Sequence, residues 1–270
     1  FNLNHSSTTG AAKIWAINAF WGSWNIFNNQ ISLTNGEASD YYNQNEPPQS
    51  ENRITKNEYV NDGSEMNFVS EYYYKDQINS VNSDINKENN NEYDLSTNGV
   101  EIKGIHDEAE FPCLYYYNSI YVGGTQASGS ANSWAYDRPL LTWATNASLR
   151  NNIFFNARTG GTGSHYAIGN EVGYANWTNA SSDYNVFIAP NSSRIAIWGG
   201  TNQTIQQWKD SSFGDRHAWS TITSDVSPAN LFNNVTTGDL SINSANWEAW
   251  IVSGKGVAIA GSSSDFDGST

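Results

Sequence analysis

Short runs of alternating apolar and polar residues recur along the chain, separated by clusters of Asn, Gly, Ser and Thr. Each run reads as a strand with one face turned inward, and each cluster as a turn. Ala12-Lys13-Ile14-Trp15-Ala16-Ile17 has a counterpart in Val100-Glu101-Ile102-Lys103-Gly104-Ile105, 88 residues later. Phe27-Asn28-Asn29-Gln30-Ile31 matches Tyr116-Tyr117-Asn118-Ser119-Ile120 at an offset of 89. A shorter period follows. Asn118-Ser119-Ile120-Tyr121, Asn151-Asn152-Ile153-Phe154 and Tyr184-Asn185-Val186-Phe187 recur at spacings of 33 and 33.

A repeat of this size cannot bury its own apolar face, so the copies must stack. The pattern predicts an all-β chain, a right-handed parallel β-helix, with Ile120, Ile153 and Val186 as core neighbours on successive rungs. Asn ahead of each strand tolerates left-handed backbone and can turn the corner. Stacked from rung to rung, such Asn side chains can form a ladder. The alternative is a β-sandwich with Asn in its turns, which does not predict a constant offset.

The rungs are expected over 1–39 and 98–192. Residues 40–97 break the rhythm with 12 acidic and 4 basic residues and read as a long inserted excursion. Pro47-Pro48 opens it, and two strand-like runs, Arg53 to Val60 and Phe68 to Tyr74, lie inside. Residues 193–270 read as the last rungs and an irregular C-terminal cap. Within them Thr204 to Trp208 predicts one or two helical turns. Leu231 to Val252 is apolar enough to cover the open end or to form the last rungs.

Composition narrows the partners. The formal net charge of −14 argues against nucleic acid and anionic membrane surfaces, which need clustered cations. No run approaches 18 consecutive apolar residues, so no membrane insertion is expected. Asn numbers 37 and Trp 11, while charged residues make up only 15%. That balance suits a secreted β-rich protein, and both ends read as cuts through a longer polypeptide.

Four stretches carry a family likeness: Tyr116 to Thr125, Leu149 to Arg158, Ile197-Trp198-Gly199-Gly200-Thr201 with Gln207-Trp208, and Asp265-Phe266-Asp267-Gly268. In them the chain resembles the right-handed β-helix surface proteins of Bacteroidota-type bacteria. The likeness covers residues 98–268 well and 10–35 moderately, and the stretch 40–97 departs from it. It implies the β-helix fold and an extracellular or cell-surface address, and it carries over no catalytic residue.

Candidate chemistry is thin. His106-Asp107-Glu108 with Glu110 is the densest acidic run carrying a His. It reads as a solvated loop between rungs, or else as a glycan or interface contact. It aligns with Asn18-Ala19-Phe20, which lacks the charges. Asp137-Arg138 reads as a salt-linked corner or a substrate clamp. His165 follows the run Thr159-Gly160-Gly161-Thr162-Gly163, which lacks the spacing of a phosphate loop. Asp265 and Asp267 resemble part of a calcium loop, so Ca²⁺ is the one candidate metal and no other cofactor is expected. Exposed Trp residues can stack on sugar rings or pack between copies. The expected function is an extracellular structural or adhesive protein that self-associates, forms fibres or a surface layer, and contacts polysaccharide. The alternatives are a polysaccharide lyase or glycoside hydrolase, or a non-catalytic glycan-binding module.

Overall fold

A computed structural model of the protein describes residues 2–4, 13–20, 25–27, 29–34, 100–109, 113–126, 128–139, 147–173 and 182–259. Phe1–Glu37 with Leu95–Thr270 forms one compact unit and Ala38–Asp94 a second. Every described element belongs to the first. The excursion expected over 40–97 lies outside the described residues.

The elements are mostly parallel strands. Sheet 1 orders β1 (Asn2–Asn4), β4 (Gln30–Thr34), β7 (Ser119–Val122), β11 (Ile153–Asn156), β14 (Val186–Ala189) and β17 (Trp219–Ile222), all parallel. Sheet 2 orders β2 (Lys13–Phe20), β5 (Glu101–Glu108), β9 (Ser133–Arg138), β13 (His165–Asn170) and β15 (Ala196–Trp198). It closes on β16 (Thr201–Gln203), which is antiparallel to β15. Sheet 3 holds β3 (Asn25–Phe27), β6 (Cys113–Tyr116) and β10 (Ala147–Arg150). The short β8 (Thr125–Gln126) pairs with β12 (Thr159–Gly160). The chain visits sheets 2, 3 and 1 in that order three times, as β2–β3–β4, β5–β6–β7 and β9–β10–β11.

The long offsets read from the sequence match the observed register. Ile14 lies beside Ile102, and Asn18, Ala19 and Phe20 lie beside His106, Asp107 and Glu108. Ile31 lies beside Ile120, and Phe27 beside Tyr116. The 33-residue period is corrected by one. Ile153 pairs with Val186 as expected, but Ile120 pairs with Phe154. Because successive strand residues face opposite sides, that single step sends Ile120 and Ile153 to different clusters.

Asn side chains set the register. Asn29, Asn118, Asn152 and Asn185 occupy one corner and are joined in series. Each Nδ2 donates to the next Oδ1, at 2.9 Å (Asn29 to Asn118), 3.0 Å (Asn118 to Asn152) and 2.9 Å (Asn152 to Asn185). The backbone N–H of each donor residue reaches the same Oδ1, at 3.1, 3.0 and 3.0 Å. The other Nδ2 hydrogen of Asn118, Asn152 and Asn185 goes to the carbonyls of Ile26, Tyr115 and Leu149. The ladder members are not the left-handed residues. Tyr117, Asn151 and Tyr184, each one position earlier, have φ of 58, 58 and 60°. A left-handed Tyr costs on the order of 1–2 kcal/mol, which the fully satisfied amides of the following Asn offset.

The core lies between the inward faces of sheets 1, 2 and 3. Ile31, Ile120, Phe154 and Phe187 from sheet 1 meet Ile102, Ile105, Tyr136 and Ile168 from sheet 2 and Tyr115 and Leu149 from sheet 3. Phe154 and Phe187 stack at 5.8 Å with their planes 7° apart. Gly104 permits a close approach between sheets 1 and 2: a β-carbon there would stand 2.4 Å from Ile120 Cγ2 and 2.5 Å from the Ala135 carbonyl oxygen.

The roles expected at the C-terminal end are redistributed. Helix α1 (Ile205–Ser212) starts at a capping box formed by Thr204 and Gln207. Its fully buried Trp208 packs edge-on against Phe187 and Trp198, closing the core. The stretch 231–252 was expected to cover the open end or to form the last rungs. Instead, the short helix α2 (Pro228–Leu231), the antiparallel hairpin β18 (Phe232–Asn234) and β19 (Asp239–Ile242), and a 3-10 helix at Trp247–Ile251 belong to a lateral cover. Leu231, Phe232, Leu240 and Ile251 bury the outer face of sheet 1, against Tyr121, Ile153, Phe155, Val186 and Ile188. Those five sheet residues give that outer face an apolar surface, so burying it is favoured. Among the described residues no helix is long and apolar enough to cross a membrane.

Candidate functional site

The predicted polar residues divide between the two faces of sheet 2. His106, Asp107 and Glu108 lie on strand β5, not in a solvated loop, and His106 and Asp107 are almost wholly buried. Asp137 and Arg138 likewise do not form a corner with each other. As consecutive strand residues on β9 they turn to opposite sides.

On the outer side, Lys103 Nζ stands 2.6 Å from Asp137 Oδ2 and 3.6 Å from Glu101 Oε1. His106 Nδ1 lies 3.2 Å from the same Asp137 oxygen, and its Nε2 lies 3.3 Å from Glu108 Oε1. Lys103 Nζ is also 3.3 Å from His106 Nδ1. A protonated His106 donates to both carboxylates. A neutral one with hydrogen on Nε2 accepts from Lys103 and donates to Glu108. The His106 ring lies on Trp15 at 4.2 Å, and Lys103 sits over Trp15 and Trp134 at 5.9 and 4.9 Å. Gly169 on β13 gives this group room: a β-carbon there would stand 2.9 Å from Trp134 Nε1 and 3.0 Å from Asp137 Oδ1. Burial first, and then the Asp137 charge, push the Glu171 carboxyl above its ordinary range.

On the inner side, Asp107 Oδ2 accepts from Tyr136 Oη at 2.6 Å and faces Arg138 Nη1 at 3.6 Å. Its Oδ1 accepts from the Ala109 backbone at 3.1 Å. Burial and the Asp107 charge together raise both Tyr115 and Tyr136 well above the usual phenol value.

His165 stands apart from both groups. Its Nδ1 is 2.9 Å from Ser133 Oγ and its Nε2 is 3.3 Å from the Gly160 carbonyl. Asp265 and Asp267 lie outside the described residues. Among the described residues no group of three or more His, Cys, Asp or Glu side chains is placed to hold a metal ion.

A second surface, which the sequence reading did not single out, is partly exposed: His217 is exposed, and Tyr184 and Trp219 are half-buried. Tyr184 and His217 stack face to face at 4.8 Å with planes 8° apart. Asp183 fixes His217 twice: its Oδ2 lies 2.7 Å from Nδ1, and its Oδ1 accepts the His217 backbone N–H at 2.7 Å. Two residues further, Trp219 meets Trp250 edge-on at 5.4 Å, and Lys255 Nζ stands 5.8 Å from the Trp250 ring centre. Trp250 is 47% exposed and Trp247 68%. The segment carrying Lys255 is tied down just beyond it. Val257 N–H donates to Asn151 Oδ1 at 2.9 Å, and its carbonyl accepts from Asn151 Nδ2 at 2.7 Å and from Tyr117 Oη at 3.2 Å. The sequence marked this place only as the residue ahead of each ladder Asn, and the left-handed backbone of Tyr117, Asn151 and Tyr184 was not legible in it. Compared with protein-family models, curated proteins and solved structures, this chain matches none.

Proposed function

We propose that this chain is a right-handed parallel β-helix that works outside the cell as a structural or adhesive element, contacting glycan and associating with copies of itself. The observation that carries the reading is the side-chain ladder from Asn29 to Asn185, which binds successive passes of the chain through sheets 2, 3 and 1 in one register. A ladder of this kind invests polar side chains in stacking, as a scaffold requires. Exposed Trp250 and Trp247 supply the aromatic faces on which sugar rings stack. Sheet 1 ends at β17, and an edge strand is a template for pairing with another chain. The likeness to β-helix surface proteins of Bacteroidota-type bacteria points the same way.

Sedimentation velocity and electron microscopy across salt concentrations test the reading, together with retention on immobilised polysaccharides. Oligomers or filaments with glycan retention are the expected result. A strictly monomeric protein indifferent to every polysaccharide would overturn it.

One observation favours a carbohydrate-active enzyme as the second reading: Glu101, Asp137 and Glu108 gather around Lys103 and His106 on one face of sheet 2. Carboxylates beside a base are what a lyase or hydrolase uses. An assay for reducing ends and unsaturated products over a polysaccharide panel decides it. Calcium at Asp265 and Asp267 belongs with this reading and is tested by adding a chelator to the same assay.

A further inference from the structure

We propose that Lys103 and Asp137 condense into an amide, an internal crosslink between Lys103 Nζ and Asp137 Cγ that ties strand β5 to strand β9. Such a crosslink adds a chemical activity to the proposed scaffold, and its formation depends neither on glycan nor on self-association.

The reacting groups are already assembled. In the pairing of β5 with β9, Lys103 sits opposite Trp134 and His106 opposite Asp137, so the lysine side chain runs along the sheet to reach the aspartate. Nζ stands 2.6 Å from Asp137 Oδ2, and both side chains are almost wholly buried. Groups held together in this way react without the entropy cost of an encounter. The step also needs a base that reaches the leaving oxygen. His106 Nδ1 lies 3.3 Å from Lys103 Nζ and 3.2 Å from Asp137 Oδ2, and Glu108 Oε1 holds the other ring nitrogen at 3.3 Å. Nucleophile, base and orienting carboxylate stand in series, as in sites that activate a weak nucleophile. Asp137 Oδ1 and Trp134 Nε1 are buried without a hydrogen-bond partner among the described residues, and both border the space that Gly169 leaves open. The indole N–H is a donor for the charge that develops on Oδ1 during attack.

The atoms balance without a co-reactant. The Lys103 ammonium gives one proton to Oδ2 directly and a second through His106. The Nζ lone pair attacks Cγ, the Cγ–Oδ2 bond breaks, and Oδ2 leaves as water. Nothing is oxidised or reduced. The ion pair is the state before this step, and its cost drives the change: two full charges are held away from water, whereas the amide carries none. Glu101, the other carboxyl near Nζ, stands further off at 3.6 Å. The second buried pair, Arg138 with Asp107 at 3.6 Å, has no such outcome, because a guanidinium does not give up its proton.

Intact mass spectrometry of the full chain is the test. Folded wild type is expected to convert on standing to a species lighter than its sequence by one water molecule. A tryptic digest should then hold a branched peptide that joins the segments around Lys103 and Asp137, with no cleavage after Lys103. Lys103→Arg keeps a cation beside Asp137 without a nucleophilic amine and should retain its full mass. His106→Gln should slow the conversion at least about tenfold, and Glu108→Gln should change the pH profile of its rate. Near-ultraviolet circular dichroism verifies that these variants are folded. Wild type that keeps its full mass overturns the crosslink by itself, with no variant needed. So does a water loss that Lys103→Arg shares, or one that the digest maps to Glu101 or to any other pair of residues.

Discussion

Asn185 Nδ2 donates to Asp215 Oδ1 at 2.9 Å, so the ladder of amides ends on a carboxylate. The chemistry of a terminus explains the change of residue. Each Asn passes its donor onward, and the last member must accept without having a further partner to donate to. Asp215 does this for three side chains, since its Oδ2 also accepts from Ser182 Oγ and Trp208 Nε1, each at 2.9 Å. Asp215→Asn keeps the size but turns an NH₂ group toward at least one of these donors. A loss of about 1–3 kcal/mol is expected, the cost of stranding buried hydrogen-bonding groups. Urea unfolding measures it, and an Asn variant as stable as wild type would show that the terminus does not need an acceptor-only group.

The one-residue step between the levels of Ile120 and Ile153 gives a pair of contrasting expectations. Phe154 is fully buried between Phe187 and Tyr136, so Phe154→Ala should cost about 3–5 kcal/mol and destabilise the whole unit. Ile153 faces the lateral cover instead. Ile153→Asp should detach that cover first, exposing 226–259 to limited proteolysis while the sheets persist. Loss of both regions in one cooperative step would contradict this division.

Long offsets were legible because an offset is a count, and the pairing of β2 with β5 and of β4 with β7 follows the counts of 88 and 89. The shorter period misled because Asn151 and Asn152 are adjacent and either can be aligned with Asn118. Only the hydrogen bonds pick Asn152, 34 residues on. The segment 231–252 was legible as apolar but not as lateral, since composition does not say which of two apolar surfaces it buries. Asp107 and Asp137 illustrate a further limit. His106-Asp107-Glu108 read as a solvated loop and Asp137-Arg138 as a salt-linked corner, while in the strands each Asp finds a cation across the pairing, Arg138 for Asp107 and Lys103 for Asp137.

Lys103 and Asp137 are both almost wholly buried, which makes their pairing costly to break and cheap to replace. Lys103→Met leaves Asp137 facing His106 alone and should cost about 3–5 kcal/mol. Lys103→Met combined with Asp137→Leu removes both charges and should recover much of that loss. Thermal unfolding of the two single variants and the double variant gives the coupling directly, and strictly additive losses would show that the pair is not interacting.

His165 provides the pH dependence. Burial lowers its basicity below the ordinary value of 6.5, the Gly160 hydrogen bond works in the opposite direction, and the charge of Arg158 adds to the lowering. In the neutral form Nε2–H donates to the Gly160 carbonyl, and Nδ1 accepts from the Ser133 hydroxyl. Protonation puts a hydrogen on Nδ1 and forces the Ser133 hydroxyl to turn toward Asn156 Oδ1, 3.3 Å away. The direction of the effect follows. Above pH 6.5 the ring is neutral in both the folded and the unfolded chain, and its contribution to stability is complete. As pH falls through 6.5 the unfolded chain takes up the proton first. Stability is therefore lost until pH has passed below the depressed folded value. His165→Gln removes that proton uptake. Urea midpoints at pH 7.5 and pH 5 should differ more for wild type than for the Gln variant, and equal differences in the two proteins would show that His165 ionises alike in both states.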